Sequence, residues 1–413
     1  MKNFTTQVCI IGAGPGGTAT ALFLAKKGIP CVLVDKAKFP RDKICGDALS
    51  GKVVEVLKKL DASLVDQLSL SPIQIGSWGV VFVAPNGKPL HVPFKKEFSK
   101  TQRAPGYISK RIDFDNFLIE QVKKKSSITL IENCELNSFK KENGKFILES
   151  KNGETNITAD LVIACDGAHS SFAKEIGNIK VEPKHYCAGI RAYFKNVSGI
   201  DKDNFIELHF LKEFLPGYFW IFPLPNGEAN VGIGMRSDVV SKRKINLKTK
   251  LIELIKENPV LKNRFANAEM IDGIKGFGLP LGSKKRKISG DNFMLTGDAA
   301  SLIDPFTGEG IGNAMMSGMY AAEQATQCIS ANNFSAEYMK NYDTTVYKRL
   351  WKELQLSHRM QKLVEYPWLF NLVVNKANSN KVLADTISCM FEDVDMRDRL
   401  KRPGFYFKLI FSG

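Results

Sequence analysis

The stretch Val8-Cys9-Ile10-Ile11-Gly12-Ala13-Gly14-Pro15-Gly16-Gly17 decides the fold of this chain. Four apolar residues in a row read as a buried strand, which runs into glycines at the first, third and sixth positions of Gly-x-Gly-x-x-Gly. Thr18 to Lys27 has helical composition, Gly28 stops it, and Cys31-Val32-Leu33-Val34 reads as a second buried strand ending at Asp35. This is the strand–turn–helix–strand order of a dinucleotide-binding unit. Gly12 permits the tight turn, Gly14 lets the backbone approach a pyrophosphate, and Gly17 lets the helix pack closely on the strand. The helix N-terminus offers free amides and a positive dipole end, so Pro15 and Gly16 join the glycines in the phosphate-facing set. Asp35 stands about twenty residues on, where an acid bonds a ribose hydroxyl.

A chain of 413 residues can bury a large core and divides into two or three domains. Its 44% hydrophobic and 24% charged content is that of a globular protein, and no stretch approaches the roughly 18–20 apolar residues of a membrane-spanning helix. The first strand begins close to Met1, so no signal peptide is expected. The eight cysteines include no CxxC pair, and several sit inside apolar strands. Reduced core thiols, a cytoplasmic location and no zinc site are the expectation. The net charge of +15 comes mostly from scattered lysine runs such as Lys123-Lys124-Lys125 and Lys284-Lys285-Arg286-Lys287. These read as solvated surface, with attraction to an anionic substrate or to the inner face of a membrane as the functional alternative. Basic and aromatic residues do not interleave as a stacking platform requires, so nucleic acid is not an expected partner. Nothing in the sequence points to a particular oligomeric state.

Further along, residues 51–60 and 112–125 read as helices, 73–94 as a hairpin, and 128–132, 145–149 and 161–165 as strands with Asn-Gly turns at 143–144 and 152–153. From 186 to 236 the composition is β-rich, with strands expected at 189–194, 205–210, 218–223 and 229–235. Residues 246–268 look helical, as does the segment beyond 333, which is punctuated by Pro367 and Pro403. Two more apolar strands end in glycine motifs: Leu161 to Cys165 in Asp166-Gly167, and Phe293 to Thr296 in Gly297-Asp298. After the second, Asp304-Pro305-Phe306-Thr307-Gly308-Glu309-Gly310-Ile311 leads into a helix of small residues starting at Gly312. Unpaired amides are therefore expected near 310–312, aimed at whatever lies beside Asp298, in a site that suits an anion.

The ordered set Gly12-x-Gly14-x-x-Gly17, Asp35, Arg111, Asp166-Gly167, Gly297-Asp298 and Pro305-x-x-Gly308-x-Gly310 resembles the FAD enzymes with the p-hydroxybenzoate hydroxylase fold. Within them, the loop Phe39-Pro40-Arg41-Asp42-Lys43-Ile44-Cys45-Gly46-Asp47 and the stretch Tyr218-x-Trp220-x-Phe222-Pro223 are similar to the geranylgeranyl reductase family. The resemblance implies that Asp35 holds the adenosine ribose, with Lys36 and Arg41 also in the cofactor set. Arg111 would contact the phosphates or adenosine part, and Asp298 the ribityl–pyrophosphate region. Gly308, Gly310, Ile311 and Gly312 would face the isoalloxazine, whose reduced form carries negative charge at its N1–C2=O2 edge. Cys45 and Gly46 would lie beside the flavin, and Tyr218, Trp220 and Phe222 would line the substrate cavity. One departure stands out: the family pattern has a proline three residues before the tyrosine, whereas Pro216 is two before Tyr218. The flavin-dependent halogenases have a related stretch with two tryptophans and an isoleucine before the proline. Tyr218 and Phe222 replace the outer positions here, which argues against halogenation.

The expected fold class is α/β. A doubly wound Rossmann-type FAD domain is drawn from 1–72, 105–178 and 275–330, an antiparallel β substrate domain from 73–104 and 179–274, and a helical C-terminal region from 331–413. The expected reaction is FAD-dependent reduction of carbon–carbon double bonds in a polyprenyl or similarly apolar lipid. An FAD monooxygenase is the rival enzyme, since the fold alone hosts both, and a flavin- and lipid-binding protein without turnover is the third reading. No histidine stands near a partner motif, so Cys45 is the catalytic candidate, as proton donor or as a thiol shaping the flavin pocket; an inert buried thiol is the alternative. NADPH or a ferredoxin-type protein would be the electron donor. Gly232-x-Gly234 and Gly276-x-Gly278 lack the third glycine and the strand–helix context of a second dinucleotide site. The tail Phe405 to Phe411 would either touch a bilayer peripherally or dock on the body of the protein.

Overall fold

The computed structural model describes residues 1–95 and 103–380. Strand Lys2–Ile11 lies at the centre of the first sheet, and its last four residues, Val8 to Ile11, are buried. It pairs in parallel with Thr155–Ala164 on one side and Cys31–Val34 on the other, and Phe293–Leu295 and Ile128–Ile131 extend the sheet outward, again in parallel. Continuous apolar runs make sense here, since a parallel sheet is covered on both faces. The hairpin of Leu136–Glu142 and Lys145–Ser150 adds antiparallel strands beside Thr155–Ala164. Its first strand escapes the sequence pattern because it ends in charged Lys140-Lys141-Glu142.

The first helix starts at Pro15, three residues earlier than its composition indicates, because proline fits the first helical turn, where its missing N–H costs nothing. This helix and Ile311–Ala331 pack closely. A Cβ on Gly318 would stand 2.4 Å from the Gly16 carbonyl oxygen, so the small-residue run of the later helix is what lets the two approach.

The second sheet runs Glu269–Met270, Tyr186–Lys195, Glu228–Arg236, Tyr218–Pro223, Ile206–His209, Gly79–Val83, Pro89–Pro93, antiparallel except where Ile206–His209 meets Gly79–Val83. Two parts of the sequence-based division differ from these pairings. Lys275–Pro280, counted with the nucleotide-binding unit, pairs with Tyr186–Lys195 of this second sheet. Its glycines allow the crossing, since a Cβ on Gly278 would collide with the Tyr186 ring. Gln74–Ser77 does not continue the hairpin, which is made by Gly79–Val83 and Pro89–Pro93. Instead it joins Ala48–Leu49 and Gly106–Ser109 in a small sheet between the two large ones.

Helix Ala336–Leu363 packs on Ile311–Ala331, and Pro367–Ser379 turns back to reach the second sheet at Pro89–Pro93. The return is held by amides: Asn86 donates its backbone N–H to Asn371 Oδ1 at 3.1 Å, and Asn378 donates to the Pro89 carbonyl at 2.9 Å. The aromatic tail and Pro403 lie outside the described residues.

The tightest constraint is at Gly17, where a Cβ would stand 1.8 Å from the Gly12 carbonyl oxygen. Backbone cannot yield as a side chain does, so Gly17→Ala is expected to cost at least the roughly 1–3 kcal/mol typical of overpacking and to yield protein that loses its cofactor. Gly28 has a positive φ of 73° but open space around it. Gly28→Ala should cost only about 1–2 kcal/mol of backbone strain and leave cofactor binding intact, as read by thermal unfolding and flavin absorbance.

Candidate functional site

A single cavity of about 1910 Å³ runs from the glycine loop to the C-terminal helices, well beyond the roughly 300–1,000 Å³ of an ordinary ligand pocket. It opens at the carboxyl ends of the parallel strands, the usual place for a ligand in such a sheet. At one end Gly12 takes a φ of 95° and a Cβ there would strike the Cys165 carbonyl, while a Cβ on Gly14 would meet only Arg41 Nη2, at 3.6 Å. The loop is thus tight behind and open in front. Asp35 braces it: its carboxylate accepts the Ala13 amide at 2.7 Å and the Ala37 amide at 2.8 Å. Each carboxylate oxygen has a second lone pair, so a ribose hydroxyl is still accommodated. Lys36, Asp166 and Gly167 line the same end.

Arg41 and Arg111 share Asp115. Arg111 grips it with two bonds of 2.7 Å, and Arg41 adds one of 2.9 Å. The Arg111 guanidinium is buried and close enough to Cys45 to act on its thiol. Arg111 also borders the cavity.

At the other end Asp304 organises the Pro305–Gly310 turn, accepting from the Phe306 and Thr307 amides at 2.9 and 2.8 Å. Gly308 needs its φ of 75° there, and a Cβ would crowd the Tyr218 hydroxyl. The expectation of open amides at 310–312 holds only in part. Glu309 turns its carboxylate back onto the Gly312 amide at 2.7 Å and also accepts from Ser50 Oγ at 2.9 Å. Gly310 and Ile311 keep amides without a protein acceptor among the described residues. Asp298 stands beside Gly310 and faces Lys43 Nζ at 3.4 Å, with Gly297 behind it donating its amide to Ser317 Oγ.

Between the two ends lies the aromatic wall. Tyr218, Trp220 and Phe222 all border the cavity, as their alternation on one strand predicts. Tyr218 donates to the Thr307 carbonyl at 3.0 Å, tying the wall to the glycine turn. Trp220 occupies the space a Cβ on Gly232 would need, and Phe222 packs against Gly46. Gly232 and Gly234, which fail as a second dinucleotide motif, are therefore room for the wall. Sequence reasoning missed the roof, formed by Leu356, Met360, Leu363, Phe370 and Val374 of the last two helices. Its signal was present, since 356, 360 and 363 fall on one helical face and 370 and 374 on the next.

Cys45 is half-buried at the junction. Burial holds its thiol above the ordinary value, opposed by the Arg111 and Lys43 charges and by the Asp47 backbone amide. Two carboxyls also sit far above their usual range because they are buried, Asp47 and Asp166, each pushed up to about 6. Asp47 belongs to the same loop as Cys45 and was not singled out from sequence. His169 rests edge-on against Phe277 at 5.1 Å, with no acid–base partner among the described residues.

Residues 5–355 match the FAD binding domain family. This chain belongs to that family. It is an FAD-dependent oxidoreductase of the geranylgeranyl reductase type. The digeranylgeranylglycerophospholipid reductase of Thermoplasma acidophilum is 30% identical over 353 residues, 84% of each chain. A solved structure from the same organism, described as geranylgeranyl bacteriochlorophyll reductase-like, superposes with a TM-score of 0.78 at 25% identity over 99% of both chains. A flavin-dependent brominase shares the fold with a TM-score of 0.75 at 19% identity, covering 96% of this chain and 98% of the brominase. No described helix is long and apolar enough to cross a membrane.

The residues present suit the cofactor. The loop is open at Gly14, and among the described residues the Gly310 and Ile311 amides and the buried oxygens Asp166 Oδ1 and Thr296 Oγ1, both on residues that line the cavity, have no hydrogen-bond partner.

Asp166 also makes a prediction about the apoprotein. Its carboxyl holds a proton to about pH 6 in the fold but only to about 3.8 ordinarily. The raised value means stability is fullest below about pH 4 and falls as the pH climbs through 6, by on the order of 3 kcal/mol. Urea unfolding of apoprotein at pH 4.5 and 7.5 brackets about 2 kcal/mol of that fall, and Asp166→Asn should remove it.

Proposed function

We propose that this protein saturates carbon–carbon double bonds in an isoprenoid lipid such as the digeranylgeranyl glycerophospholipids named for its relatives, with FAD as the resident redox group. The observation carrying the reading is continuity: one cavity joins the glycine loop to an apolar, aromatic-walled chamber, and Cys45 stands where the two meet. Reduced FAD, when bound, supplies a hydride, and the protein's part is to orient, exclude water and deliver a proton. Gly12, Gly14, Pro15, Gly16 and Gly17 would cradle the pyrophosphate, with Asp35, Lys36 and Arg41 on the adenosine side and Asp166-Gly167 beside them. Gly297 and Asp298 would meet the ribityl chain, and Pro305, Gly308, Gly310, Ile311 and Gly312 would face the ring, Gly312 by its shape rather than its amide. Tyr218, Trp220 and Phe222 with the helical roof would hold the prenyl chain.

An isolated alkene accepts a hydride only if a proton reaches its other carbon. The Cys45 thiol, kept protonated by burial, fits that need, and Arg111 beside it favours the thiolate left behind. NADPH or a ferredoxin-type donor would visit without a domain of its own. Peripheral membrane contact through residues 403–413 would give access to a lipid substrate, and deleting them should lower liposome binding.

The test is anaerobic. Reduced enzyme mixed with a geranylgeranylated glycerophospholipid should reoxidise and yield a saturated product. Silence with such alkenes, followed by a flavin–oxygen adduct on admitting air, would establish the monooxygenase instead. Cys45→Ala and Cys45→Ser should keep bound FAD and lose about 10²-fold or more in turnover, the usual scale for a missing general acid; unchanged turnover would remove Cys45 from the mechanism.

A further inference from the structure

Asp47 is a buried carboxyl that the reaction as drawn leaves unused. It holds a φ of 71°, the left-handed region that a non-glycine residue occupies only under constraint. The constraint comes from two donors on one oxygen: Tyr193 gives its hydroxyl to Asp47 Oδ2 at 2.8 Å, and Asn230 Nδ2 adds a second bond, also 2.8 Å. The other oxygen, Oδ1, is buried and has no hydrogen-bond partner among the described residues. A carboxyl whose donors all fall on one oxygen takes up a proton at the other.

Asn230 makes this carboxyl part of the site. The same Nδ2 donates to the Cys45 carbonyl at 2.7 Å, and Asn230 Oδ1 accepts from Trp220 Nε1 at 2.9 Å. One buried amide thus clamps the cysteine loop, the carboxyl and the aromatic wall. The Asp47 backbone amide also supports the Cys45 sulfur. Other charged and titratable groups face Asp47 from several elements: Tyr193 and Arg191 from strand Tyr186–Lys195, Arg111 from the helix after Lys110, and Cys45 from its own loop. Arg191 stacks over the Tyr193 ring at 3.9 Å and pairs with Asp42 and Asp272, while Lys110 covers the same ring at 4.9 Å and pairs with Glu228.

We propose that Asp47 stores the proton of the reduction and returns it to the Cys45 sulfur after that thiol has protonated the substrate. The inference rests on the alkene-reductase reading above. In each turnover the S–H bond of Cys45 breaks, and the alkene π pair forms a C–H bond with its proton. The other carbon takes the hydride supplied by the reduced flavin. The thiolate then takes the O–H proton of Asp47, and water restores the carboxyl, so each saturated bond consumes one hydride and one solvent proton. Burial holds the carboxyl near pH 6, where it loads and unloads close to neutrality. Asp47 acts through Cys45 and is a positioning and relay group, not a contact of the substrate.

Steady-state reduction by the wild type under excess dithionite should slow as pH rises through about 6, following loss of the Asp47 proton, while the first turnover of prereduced enzyme, which spends the Cys45 proton, keeps its rate. Asp47→Asn, which keeps an oxygen for both donors, should lose that limb and about 10²–10⁴-fold in rate while binding FAD as tightly as the wild type. Infrared difference spectra should contain a protonated-carboxyl band that titrates with the limb and is missing from the variant. Tyr193→Phe removes a bond that favours the carboxylate, so it should move limb and band to higher pH, and it serves if Asp47→Asn fails to fold. A variant with wild-type rate and pH profile, or a wild type without a titrating band, overturns the relay. A wild type that reduces no prenyl alkene overturns the substrate reading and the relay with it.

Discussion

The structure depends on backbone lying against backbone where the first strand ends. At Gly12 and Gly17 the turn, the helix and the Cys165 carbonyl of the neighbouring strand come closer than any side chain allows. That contact sets the first helix against the sheet and leaves its amino end pointing across the strand termini. The later helix Ile311–Ala331 then reaches the same spot only because Gly318 meets Gly16 without a side chain between them. Both ends of the proposed cofactor site are therefore defined by close approach, one from each helix.

The aromatic-walled chamber is joined to this frame by a few polar contacts at high burial. Asn230 bridges the second sheet to the cysteine loop, and Tyr218 bridges it to the glycine turn. Arg191, buried in the second sheet, reaches Asp42 in the same loop. The loop that carries Cys45 belongs in sequence to the nucleotide-binding unit but is held from both sides, by Asp115 and Asp298 on one and by Arg191, Tyr193 and Asn230 on the other. Hydrogen bonds of this kind are worth most where water is excluded, so the junction between the two sheets is also where the chemistry is most narrowly positioned.

Much of this was legible because it is local. The glycine loop, the strands ending in Asp35, Asp166-Gly167 and Gly297-Asp298, and the alternating wall Tyr218, Trp220 and Phe222 announce themselves by spacing. What escaped depends on partners distant in sequence. The sheet to which Lys275–Pro280 belongs is settled by Tyr186, some ninety residues earlier. Glu309 reads as a loop acid until its carboxylate is seen folded back on Gly312, and Asp47 reads as one more charge in a charged loop until Tyr193 and Asn230 converge on it. The roof residues carry a helical stripe, but a stripe does not say which cavity it covers.

That roof comes from the last two described helices, while the glycine loop, Cys45 and the aromatic wall come from earlier chain. Contour and reactivity are thus written in separate stretches of sequence. Substitutions along 356–374 can reshape the chamber, deepening, narrowing or bending it, without changing a residue of the glycine loop or of the Asn230 clamp. A scaffold divided in this way can exchange one hydrophobic guest for another while its electron-handling half stays unaltered.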